Sequence, residues 1–227
     1  MDWKQSGGSV SSLAKTFTDT FHRANVANLG PNWIYSSQPT ALTQAHTTQY
    51  SVSGNTWTAQ DSSANQTQNN SPECWIPFAI MNTAVAGKTQ HAQARFLANS
   101  SAAGHDMRAG VMAMCGINAA GDWQMYLFWQ ELGPAYRIFK YAANTLTDIG
   151  AGSIGVPVAN DIMRLSVVVG ASNTINCIVN GVTIKTVIDG SPIITGWPGM
   201  TRSIWISGGA PPLTTCSFDN GTWGLGA

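Results

Sequence analysis

Charge is what this sequence has least of. Only 10% of its 227 residues are charged, 11 basic against 11 acidic, where about a quarter is usual. Without clustered Lys and Arg there is no footprint for a phosphate backbone or an anionic bilayer, which excludes nucleic acid and membrane as partners. Glutamate is scarcer still, confined to Glu73 and Glu131. No apolar run is long enough to span a bilayer, and Met1 to Val10 contain no apolar h-region, so no secretory signal is expected. The four cysteines, Cys74, Cys115, Cys177 and Cys216, show no C-x-x-C spacing, which argues against zinc. They are expected as reduced, mostly buried thiols; if any pair bridges, it is Cys74 with Cys216. His22, His46, His91 and His105 lack metal-ligand spacing, and no Gly-x-Ser-x-Gly elbow accompanies them.

What the chain does have is apolar residues (44%) set among Ser, Thr, Asn, Gln and Gly. The surface must therefore be polar but uncharged. A net charge of zero gives little colloidal repulsion, which suits a chain living as an oligomer within an assembly. Residues 1–16 are rich in Gly, Ser and Lys, with Trp3, Val10 and Leu13 as the only anchors, and read as a flexible N-terminal arm. Residues 17–227 show no second composition break and read as one domain.

That domain reads as strands. Gln49–Val52 and Thr56–Ala59 flank a Gly/Asn turn as a hairpin, and Asp61 to Pro72 is an exposed polar loop. Trp123 to Gln130 is too short and too continuously apolar for an amphipathic helix and predicts a central strand, with Tyr136–Tyr141 its antiparallel partner. Arg164–Gly170 and Thr174–Val179 supply two more. Asn180-Gly181 then turns tightly into Val182–Val187. Helices should be minor, and many short strands between turns predict an all-β sandwich or jelly roll.

The order of motifs is also distinctive. Phe17-Thr-Asp19-Thr-Phe21-His-Arg23-Ala-Asn25 leads to Leu29-Gly30 and Trp33. There follow the aromatic strand at 123–129, Tyr136-Arg-Ile-Phe-Lys140, Met163-Arg-Leu165, Val179-Asn180-Gly181, Asp189-Gly-Ser-Pro-Ile193, Gly196-Trp-Pro-Gly199 and Phe218-Asp219-Asn220. This set, across about 200 residues, resembles the concanavalin A-like (laminin G-like) jelly-roll domains, including those in bacteriophage tail and head-surface proteins. The resemblance implies a concanavalin A-like jelly-roll sandwich of two antiparallel sheets behind the arm. It also implies a calcium site between the first and last strands, where Asp19 and Asp219 fall, although no clustered carboxylates accompany them. No cofactor is otherwise expected. The fold hosts lectins, adhesion modules, glycosidases and virion proteins, so activity must be argued from the site.

A glycosidase needs two carboxylates about 5 to 10 Å apart. The Glu-x-Asp-x-(x)-Glu strand of the β-glucan-cleaving enzymes on this fold is missing. Glu131 with Asp122 is the one pairing within the aromatic segment. Gly150-Ala-Gly152-Ser-Ile-Gly155 matches a dinucleotide fingerprint in letters, but Val156-Pro157-Val158 follows where a helix would have to begin. Nine tryptophans allow sugar stacking, and Trp123 and Trp129, with Glu131, are the ligand-binding candidates; core packing is the competing reading for both rings. The leading expectation is a non-enzymatic protein on a phage virion surface, as capsid decoration or tail component. Its arm would dock on other virion proteins and its outer face would adhere to glycans. A carbohydrate-binding lectin module outside a virion is the alternative, and a glycan-cleaving enzyme ranks third.

Overall fold

A computed structural model describes the backbone at residues 16–19, 33–37, 48–53, 56–61, 73–79, 89–100, 105–131, 135–143, 145–194, 196–206 and 214–225, and side chains at 89–96, 110–122, 124–130, 135–143, 145–194, 196 and 198. The arm anchors Trp3, Val10 and Leu13 lie outside the described residues. So does the loop expected after Asp61. Among the described residues there is no helix.

Two antiparallel sheets form the domain. The eight-stranded sheet contains β1 (Thr16–Asp19), β3 (Thr48–Ser53), β4 (Thr56–Asp61), β6 (Gln90–Ser100), β11 (Ile162–Val168), β12 (Asn173–Val179), β13 (Val182–Asp189) and β15 (Thr214–Leu225). Its order is β13-β12-β11-β6-β15-β4-β3, with β1 also on β15. The seven-stranded sheet contains β2 (Trp33–Ser37), β5 (Glu73–Ala79), β7 (His105–Ile117), β8 (Trp123–Glu131), β9 (Ala135–Ala142), β10 (Thr145–Asp148) and β14 (Trp197–Ile206). Its order is β10-β9-β8-β7-β14-β5-β2.

The strands form where the sequence alternates or is continuously apolar. In β9 the pattern Tyr136, Ile138 against Phe139, Tyr141 buries side chains on both faces. One set belongs to the sandwich core, in which Tyr126, Phe128, Tyr136 and Ile138 meet Ala92, Ala94, Phe96, Met163, Leu165, Val167, Ile175 and Cys177 of the other sheet. Alternate residues point the other way. Met112, Cys115, Met125, Leu127, Trp129, Phe139 and Tyr141 form a second buried cluster, to which no described side chain of the eight-stranded sheet contributes; by strand alternation it lies on the sheet's outer face.

A bulge in β7 makes this two-sided burial possible. The β7–β8 register shifts between Ala113 and Gly116, and Met114 takes φ 56 there. Parity inverts, so consecutive residues Ala113 and Met114 both enter the core while Cys115 joins Met112 on the outer face. Buried Gln90 holds the bulge: its side-chain N–H donates to Gly196 O at 2.6 Å and its Oε1 accepts from Met114 N at 3.1 Å. Gly196 (φ 136) approaches so closely that a Cβ would lie 2.4 Å from the Met114 carbonyl carbon.

Two tyrosine–aspartate links tie the sheets at opposite ends. Tyr126 Oη donates to Asp189 at 2.5 Å, where Lys140 Nζ also donates at 2.7 Å. Lys140 bonds the Ser191 carbonyl as well. Tyr136 Oη donates to buried Asp161 at 2.6 Å, which accepts also from Val158 N at 2.8 Å and from the Asn180 amide at 2.7 Å. Burial by itself would raise both carboxyls, but these hydrogen bonds outweigh it and hold Asp161 and Asp189 below the ordinary 3.8. Burial, with the aspartate beside each, pushes the Tyr126 and Tyr136 hydroxyls up.

Candidate functional site

The outer face of the seven-stranded sheet receives the sequence candidates on β8. Positions 123, 125, 127, 129 and 131 share one backbone parity, and Met125, Leu127 and Trp129 at its centre are wholly buried. Trp129 therefore corrects an expectation. Its ring is 0% exposed and packs on Phe139, centroids 4.9 Å apart at 52°, so it serves the apolar cluster rather than a sugar. A nine-residue run holding Trp123, Tyr126, Phe128 and Trp129 reads the same for an exposed platform as for a doubly buried strand. The side chains of Trp123 and Glu131 lie outside those described.

The pairing of Glu131 with Asp122 is corrected too. They flank β8 at opposite ends, nine residues and about 30 Å apart at strand rise, too far to share a bond. Strand pairing gives Glu131 different neighbours. Ala109 pairs Gln130, so the next step of that ladder sets Arg108 against Glu131. Asp106 stands two residues further on, opposite Trp205 of β14. On the other side Glu131 pairs Ala135 and Trp129 pairs Arg137, which puts Arg137 diagonal to Glu131. Asp106, Arg108, Glu131 and Arg137 thus occupy one parity at one end of the outer face. Continued one step past Ala109 and Gln130, the ladder makes Asp106 and Glu131 diagonal cross-strand positions, for which a spacing of about 7–8 Å is ordinary.

At this end the described side chains are half-buried. Arg137 and Asp148 form an ion pair at 3.2 Å with side chains 35% and 25% exposed. Asp148 also accepts from Gly150 N at 2.9 Å and Gly152 N at 3.0 Å. The dinucleotide-like letters at 150–155 thus wrap an aspartate, and Ile154 and Gly155 hydrogen-bond along Tyr136 of β9. Asp106 and Arg108 were missed by motif reading, because their significance comes from pairing across strands; the signal was an alternating charged entry into the apolar run Gly110 to Cys115.

Elsewhere, β1 and β15 are neighbours as the calcium expectation requires. Asp19 pairs Gly221, so Asp219 lies two residues along the adjacent strand; their side chains are outside those described. Cys115 and Cys177 are buried thiols outside any disulfide, and burial pushes the Cys177 thiol up. Among the described residues no group of three or more His, Cys, Asp or Glu gathers to hold a metal.

No protein-family model and no curated protein matches the chain. Solved structures do. A GlcNAcα1-4Gal-releasing endo-β-galactosidase from Clostridium perfringens is similar at TM-score 0.57 and 10% identity, covering 97% of this chain, which spans 64% of that one. The laminarinase LamA of Z. galactanivorans, solved with laminaritriose and laminaritetraose, is similar at TM-score 0.56 and 13% identity, covering 95% and 99%. The carbohydrate recognition domain of Emp47p is similar at TM-score 0.50 and 11% identity, covering 97% and 100%. These likenesses establish the fold as a concanavalin A-like jelly roll.

They also overturn the expectation of a non-enzymatic chain. The similar structures include an endo-β-galactosidase and several β-glucanases. The argument against catalysis rested on carboxylate spacing within one strand, and strand pairing can set carboxylates side by side from two.

Proposed function

We propose that the protein recognises carbohydrate, with a glycan lying across the end of the outer face marked by Asp106, Arg108, Glu131 and Arg137. The observation that carries this reading is the β7–β8–β9 register, which gathers these positions beside a closed apolar floor in a chain otherwise poor in charge. Carboxylate and guanidinium groups are suited to fixing sugar hydroxyls through directional hydrogen bonds. An endo-β-galactosidase, a laminarinase holding laminari-oligosaccharides and a carbohydrate recognition domain are among the similar structures, which supports the choice of ligand class. The test is an array of β-1,3-glucan, mixed-linkage glucan and galactose-terminated oligosaccharides, probed with the native chain, Glu131→Gln and Arg108→Ala. Binding that falls at least about tenfold in both variants supports the reading; equal binding by all three removes the site.

A second reading is favoured by the Asp106–Glu131 spacing. Two carboxyls on that scale are what glycoside hydrolysis needs, one protonating the departing oxygen and one attacking carbon or activating water. Release of reducing ends that is abolished separately by Asp106→Asn and by Glu131→Gln would establish it. Placement on a phage virion is the finer proposal; its support is the opening motif from Phe17 to Trp33 and the uncharged surface, and association of the purified chain with particles measures it.

A further inference from the structure

The clasp around Asp161 carries a consequence beyond carbohydrate recognition. Asn180 and Gly181 (φ 51 and 81) form the two-residue turn between β12 and β13, the left-handed geometry such turns require. Although Asn180 is exposed at the surface, its amide is fully engaged. Oδ1 accepts from Ile162 N at 2.9 Å and Nδ2 donates to Asp161 Oδ1 at 2.7 Å. Asp161 in turn joins Tyr136 of β9, Val158 of the preceding loop and, through its backbone, Phe96 of β6.

We propose that Asn180 is a deamidation site guarded by the fold, and that its conversion opens this clasp irreversibly. Gly181 has no side chain to shield its backbone nitrogen. That nitrogen can attack Asn180 Cγ: the N–Cγ bond forms, the Cγ–Nδ2 bond breaks, and ammonia leaves. Water then opens the succinimide to aspartate or isoaspartate. In the native turn both amide atoms are held, so reaction waits on local opening. The product places a carboxylate where a donor stood, 2.7 Å from the Asp161 carboxylate. The remaining charged or titratable groups on Asp161 are limited, among the described contacts, to the Tyr136 hydroxyl. No cation is among the described hydrogen-bond partners of Asp161 to compensate the like charge.

Ageing the whole chain at mildly alkaline pH, folded and in denaturant, and mapping the peptide that carries Asn180 by mass measures the guarding. The folded chain should convert at least about tenfold more slowly. Melting of Asn180→Gly, which tolerates the turn but loses the amide, and of Asn180→Asp, which mimics the product, separates lost bonds from added charge. At pH 7 the expected order is native above Asn180→Gly above Asn180→Asp, the last lower than native by about 5 °C or more. The gap between the variants should narrow as pH falls towards about 4. Equal conversion in folded and denatured chain, or Asn180→Asp melting at or above Asn180→Gly, overturns the proposal.

Discussion

Tyr136 shows how much one side chain holds. Its ring packs against Phe128, centroids 5.4 Å apart, and its hydroxyl is the donor that reaches Asp161 from the opposite sheet. Tyr136→Phe keeps the ring and leaves a buried carboxylate short of a partner, so it should cost about 1–3 kcal/mol in denaturant unfolding. Gly110 is the counterpart without a side chain. A Cβ there would stand 2.0 Å from Phe128 O and 2.5 Å from Trp129 Cα, both backbone atoms that cannot swing aside. Gly110→Ala should therefore destabilise by about 3 kcal/mol. The aspartates set a pH dependence. Asp161 and Asp189 have folded values below the ordinary 3.8, so their contribution is present at neutral pH and is lost as pH falls through 3.8 and below. Melting temperatures measured down this range should drop for the native chain and drop less for Asp189→Asn, which retains only the Asp161 share of the dependence.

At the scale of elements, the sequence was read well where a strand's signal is local. The hairpin at β3–β4, the aromatic strand β8 with its partner β9, and β11 to β13 with the Asn180-Gly181 turn all stand where composition and turn residues put them. The long strands β6 and β7 escaped, because Ala, Gly and Met carry little strand preference and their order comes from neighbours on both sides. The candidate site was half legible for the same reason. Glu131 could be picked as a rare carboxylate, but Asp106 and Arg108 gain meaning only once β7 lies against β8. Trp129 was legible as a strand residue and not as a buried one, since the apolar cluster around it is assembled from three strands. The loop at 149–155 is held to β9 by backbone hydrogen bonds from Ile149 to Ile138 and between Tyr136 and both Ile154 and Gly155, while Asp148 fixes its turn; Asp148→Ala should speed amide hydrogen exchange across it while lowering global stability by about 1–2 kcal/mol.

For the whole molecule, the scarcity of charge now has a location. The chain builds its stability from a core between the sheets, a second apolar layer outside one of them, and neutral hydrogen-bonding side chains. Among the described residues, Tyr126–Asp189 and Tyr136–Asp161 serve as sheet-to-sheet links, and the Arg137–Asp148 ion pair stands at one end of the outer face. A chain of net charge zero should recognise its ligand with little dependence on salt, because no field steers the encounter. The central claim is that the end of β7, β8 and β9 is where carbohydrate is recognised. It is tested most directly by titrating the native chain and Glu131→Gln with laminari-, mixed-linkage and galacto-oligosaccharides in a calorimeter. Saturable binding by the native chain that weakens at least about tenfold in the variant, with both proteins melting alike, is the predicted result; binding left intact by Glu131→Gln, or no binding to any of these glycans, would contradict it.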